Sequence, residues 1–81
     1  MKITVNRAEF LEIAPVIPLK SNVSLMVANG ILSITSFTAK MTLKIVGYMI
    51  EPGQAFLTAE QWHELVYKVY QSKNLVVDIE N

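Results

Sequence analysis

Two helix starts of one design lie 52 residues apart, at Asn6 and Thr58, and a chain that repeats such a start is expected to repeat what surrounds it. Thr58 with Gln61 is a capping box. Each side chain is placed to satisfy a backbone N–H that has no partner inside the helix. Leu57 before the cap and Trp62 beyond it occupy the positions of a hydrophobic staple. Trp62, Leu65, Val66 and Val69 then fall at i, i+3, i+4 and i+7, with Tyr70 one further, which predicts an amphipathic helix over 59–70. Glu60, Glu64 and Lys68 take the opposite face, and Glu64 to Lys68 is the favourable order for an ion pair.

The first start follows the same plan. Asn6 caps, Glu9 stands three residues on, and Val5 with Phe10 holds the staple positions. Phe10, Ile13, Ala14 and Ile17 continue the apolar stripe, and Pro15 should end or kink the helix near Ala14. In register, Val5 falls on Leu57, Phe10 on Trp62, Ile13 on Leu65 and Ile17 on Val69. Val23, Leu25 and Val27 fall on Leu75, Val77 and Ile79. The chain therefore reads as a single domain over 1–81 with an internal repeat, 1–46 and 54–81, whose second copy has fewer strands.

Between the helices the pattern is that of strands. Lys2–Val5 alternates, as does Val23–Ala28, and Asn29-Gly30 is a strong hairpin signal because both turn positions need positive φ. Ile31–Ser36 returns, Lys40–Val46 makes a third antiparallel strand, Gln54–Leu57 leads into the second helix, and Leu75–Ile79 is the last strand. Residues 47 to 53, closing on Pro52-Gly53, read as a loop. The fold expected is α+β, two helices on one face of an antiparallel sheet of about six strands.

The 81 residues are 52% hydrophobic and 17% charged, which excludes disorder and suggests that some apolar surface serves self-association or a partner. Seven basic and seven acidic residues leave no net charge, unlike a typical nucleic-acid binder. The absence of cysteine excludes disulfides and thiolate metal sites, and no apolar run reaches membrane-spanning length. A cytoplasmic protein is expected.

The opening Met1-Lys2-Ile3-Thr4-Val5-Asn6-Arg7-Ala8-Glu9-Phe10-Leu11 resembles the start of the bacterial DNA polymerase III β subunit, the replication sliding clamp. The likeness continues through Val16-Ile17-Pro18-Leu19-Lys20 and Asn29-Gly30-Ile31-Leu32-Ser33-Ile34-Thr35, and resumes at Glu51-Pro52-Gly53-Gln54-Ala55-Phe56-Leu57-Thr58-Ala59. It implies a doubled unit of strand, helix and three strands. In that family such domains close into a ring around duplex DNA, with helices facing the hole. Two departures stand out. The likeness ends about two strands short of a complete family domain. The helices here present Arg7 and Lys68 against Glu9, Glu12, Glu60 and Glu64, a net-negative face that should not hold phosphates.

No catalytic constellation assembles. His63 is the only histidine, flanked by Glu60 and Glu64, and a metal site needs several converging ligands. The serines have no base with a third group to orient it, and three glycines make no phosphate loop. No enzyme activity, metal or cofactor is expected. Arg7, Lys20 and Lys68 are the candidates for contact with DNA or an acidic partner. Met26 and the apolar triplet Tyr48, Met49 and Ile50 are the candidates for a protein interface, the triplet either covering the core or touching a partner. The function expected is a non-enzymatic protein–protein module resembling a clamp domain, docking on itself or on replication proteins. The alternative is a clamp-like subunit that oligomerises around duplex DNA.

Overall fold

A computed structural model describes residues 1–81. The chain runs β1 (Lys2–Asn6), α1 (Arg7–Ile13), a 3-10 turn (Ala14–Val16), β2 (Val23–Ala28), β3 (Ile31–Ser36), β4 (Met41–Val46), β5 (Tyr48–Glu51), β6 (Gly53–Leu57), α2 (Ala59–Gln71) and β7 (Val76–Glu80). The α+β class is as expected from the sequence. The strands, however, number seven rather than about six, and they form two antiparallel sheets, ordered β5-β1-β7 and β4-β3-β2-β6.

The division falls within the stretch read as a loop. Residues 48 to 51 are a strand, with Met49 opposite Ile3 and Tyr48 opposite Thr4, and a register shift places an extra residue between the Met49 and Glu51 pairings. The run from Met41 to Glu51 thus serves both sheets, pairing with β3 before Gly47 and with β1 after it. Gly47 makes the crossing possible. A Cβ there would lie 2.6 Å from the Thr4 carbonyl oxygen and 2.9 Å from Val5 Cγ1, closer than packed atoms approach.

Each half of the chain also lends a strand to the other. β7 pairs with β1, with Val5 opposite Val77, and β6 pairs with β2, with Leu57 opposite Val23. A strict 52-residue correspondence would place Leu57 on Leu25, so the second pairing is offset by two residues. An offset of two preserves which side chains face inward. Ile3, Val5, Leu25, Val27, Leu32, Ile34, Ile45 and Ile79 are all buried in one apolar core with Phe10 and Trp62.

The caps form largely as the spacing predicts. Thr58 Oγ1 accepts from Gln61 N (3.2 Å) and Gln61 Oε1 accepts from Thr58 N (3.0 Å), a complete capping box. At the first helix Asn6 Oδ1 accepts from Glu9 N (2.9 Å), but Glu9 makes no reciprocal bond. Asn6 is still a strand residue opposite Val76. Pro15 acts as expected: α1 stops at Ile13 and tightens into the 3-10 turn. The hairpin at Asn29-Gly30 has φ of 54° and 74°, the positive values that the favoured two-residue turn requires. The expected Glu64–Lys68 ion pair does not form; the ion pairs present join the N-terminus to Glu51, and Lys2 to Asp78 and Glu80.

Candidate functional site

Phe10 and Trp62 meet at a ring-centroid distance of 5.9 Å and a tilt of 57°, fixing α1 against α2 through the same position of each capped segment. The helices are further tied at their ends. Arg7, the first residue of α1, donates from Nε to the Val69 carbonyl (3.2 Å) and from Nη2 to the Tyr70 carbonyl (2.7 Å). Those carbonyls belong to the last turn of α2, where the Val69 carbonyl also accepts from Ser72 N (3.1 Å) and the negative end of the helix dipole favours a cation. Asn22 Oδ1 accepts from Ala59 N (3.1 Å) and so supports the other end of α2.

This arrangement decides what the candidate cations are free to do. Arg7 is committed to α2. Lys68 lies exposed on α2 one residue before Val69, and Lys20 is exposed on the connector after Pro18. The three do not form a cluster of free positive charge. Between the helices and that connector lies an open groove of about 750 Å³, its wall formed by Leu11, Pro15, Pro18, Trp62, Tyr67 and Tyr70. His63 also lines it, and no lysine, arginine, aspartate or glutamate does. The sequence carried a partial signal for it in Tyr70, counted there with the apolar stripe and in fact 66% exposed.

The apolar triplet divides by the alternation of a strand. Met49 points inward and packs on the core, whereas Tyr48 (74% exposed) and Ile50 face out. Met26 is exposed on the outer face of the other sheet, opposite Ser33 on one side and Gln54 on the other. Met26 and the Tyr48–Ile50 pair therefore lie on different sheets. Near Met26 the structure adds an aromatic pair that the sequence reading missed. Phe37 and Phe56 stack with centroids 6.4 Å apart and planes at 21°, both exposed. Beside Phe56, between β6, α2 and the end of β7, opens a second groove of about 260 Å³ bordered by Leu57, Gln61, Glu64, Leu65 and Lys68.

Neither sheet is closed. β1 has a strand on each side and β2 likewise, but β6 pairs only with β2, and β7 only with β1. Pol III beta of Caulobacter crescentus is similar to this chain over 99% of its length, with a TM-score of 0.76 and 22% identity. The fold is that of a clamp domain. The chain spans about a quarter, 24%, of the length of that clamp protein, and the level of identity carries the fold alone. No protein-family model and no curated protein matches the sequence. Within the clamp fold, β6 and β7 are the strands left with a single neighbour on the side of the second repeat, and no helix is long and apolar enough to cross a membrane.

Proposed function

We propose that the chain is a non-enzymatic protein–protein interaction module on a single clamp-like domain, associating with itself or docking on replication proteins. The carrying observation is the clamp-like fold, whose sheet edges at β4 and β5 are each paired on one side only. An open strand edge is a template for another chain, because its backbone N–H and C=O groups are already aligned for pairing. Met26, Tyr48, Ile50, Phe37 and Phe56 add exposed apolar surface around the sheets. Met49 contributes by holding β5 on the core.

Capture by a tagged chain from bacterial lysate, with an untagged copy present, tests the reading. Recovery of the untagged copy or of an identified replication component is expected; recovery of neither would reject it. The competing reading, a subunit that oligomerises around duplex DNA, draws on Arg7, Lys20 and Lys68. It predicts salt-dependent duplex binding. Arg7 is already engaged with two carbonyls, which favours the protein-binding reading.

A further inference from the structure

We infer that the groove between α1, α2 and the connector after Pro15 is a docking site for a proline-rich segment of a partner protein, bound in the extended polyproline II conformation. The inference rests on the interaction-module reading and names the chemistry of its partner. His63, Val66, Tyr67 and Tyr70 stand at the i, i+3, i+4, i+7 spacing of one stripe along α2, beside the buried stripe of Trp62 and Val69. Tyr67 and Tyr70 are 61% and 66% exposed, so both rings are open to a ligand. Pro15 and Pro18 supply the connector's part of the wall.

The walls select the occupant by hydrogen bonding. α1 and α2 pair their backbone groups within the helices, at the Asn6 and Thr58 caps and with Arg7 and Ser72, so they offer an incoming chain little to bond its N–H groups. Taking an unpaired N–H into such a groove is costly, and proline has none. What the groove does offer is a donor. Gln71 Nε2 donates to the Tyr67 hydroxyl oxygen (3.1 Å), which leaves the hydroxyl proton for an acceptor on a ligand. A helical ligand has its carbonyls occupied, whereas polyproline II makes no internal hydrogen bonds and keeps them free. The spacing agrees: His63 to Tyr70 spans about 10 Å of helix, and one three-residue polyproline II turn rises about 9 Å. Charge removes other occupants. Glu9, Glu12, Glu60 and Glu64 are exposed on the two helices and none is in an ion pair, while Arg7 is spent on carbonyls and Lys68 borders a different groove. Lys20 and Lys73, beyond the helix ends, offset only part of that charge. Such a face repels the phosphates of nucleic acid or anionic lipid and the same face of a second copy, and attracts basic residues flanking the prolines.

Titration of the full chain with a synthetic peptide of about eight prolines, carrying an arginine at each end, tests the site. The emission of Trp62, the only tryptophan, and amide chemical shifts report binding, with circular dichroism establishing that each variant is folded. Saturable binding is expected, with shifts confined to the connector and the groove stripe of α2. Tyr70→Ala should raise the Kd about ten-fold or more, and Tyr67→Phe, which keeps the ring and loses the hydroxyl, about five-fold. Tyr48→Ala, on the three-stranded sheet, should leave the Kd unchanged. Exchanging the peptide's arginines for glutamates should weaken binding, and Glu12→Gln combined with Glu60→Gln should narrow that difference. Absence of saturable binding at millimolar peptide overturns the inference, as does binding indifferent to both Tyr70→Ala and Tyr67→Phe. Tighter binding of an amphipathic helical peptide or a duplex oligonucleotide at the same residues also overturns it. Recovery of the untagged copy or of an identified replication component would in each case leave the module reading standing.

Discussion

Arg7 Nη2 lies 2.7 Å from the Tyr70 carbonyl oxygen, so the first residue of one helix closes the last turn of the other. With the Val69 carbonyl also bound by Nε, a residue that sequence alone offers as a phosphate contact instead holds two helices together. Arg7→Ala should cost about 1.5–3 kcal/mol, the range for hydrogen bonds made by a charged group. Urea denaturation measures the loss. Hydrogen exchange should quicken at the end of α2 while its capped start is unaffected, and unchanged exchange there would show that the two bonds do not hold the helix end.

Phe10 and Trp62 are almost fully buried against one another. Truncating either to alanine should destabilise by about 3–5 kcal/mol, the cost of removing a buried aromatic side chain and leaving a cavity. In a domain this small that is a large share of the total. Thermal melting should show Trp62→Ala and Phe10→Ala largely or wholly unfolded near room temperature. The two effects should also be non-additive in a double-mutant cycle, since the rings are in contact.

Gly47→Ala introduces a methyl group where the Thr4 carbonyl and Val5 already sit. The expected penalty is about 1–3 kcal/mol, from forced shifts of β1 against the crossing strand. A Tm equal to that of the wild type would show that the crossing has slack.

Thr58→Ala removes one half of the capping box and frees Gln61 from the other, at an expected cost of about 1 kcal/mol. Asn6→Ala should cost a similar or smaller amount, because only one bond is lost there. The comparison is made by chemical denaturation of the two variants side by side.

The helices and the Asn29-Gly30 hairpin were legible because their signals are local: a cap and its partner lie three residues apart, and a turn is defined by two. The crossing at Gly47 was not. Gly47 and the short run before Pro52 resemble a connector, and the strand identity of Tyr48-Met49-Ile50 comes from pairing with Ile3 and Thr4, more than forty residues away. The alternation was visible in those three residues, but too short to decide. Arg7 was read by its charge, whereas its bonds go to carbonyls at the far end of the chain. Phe56 was read as part of a lead-in strand; that its ring lies outside, stacked on Phe37, follows only from which face of β6 meets α2.

A single length of backbone from Met41 to Glu51 belongs to both sheets, hinged at a glycine where any side chain would force its neighbours to shift. Pulling either layer apart therefore loads the other through a continuous covalent strut. The molecule should melt as one cooperative unit rather than shedding its three-stranded layer first, and probes placed on the two layers should report the same midpoint.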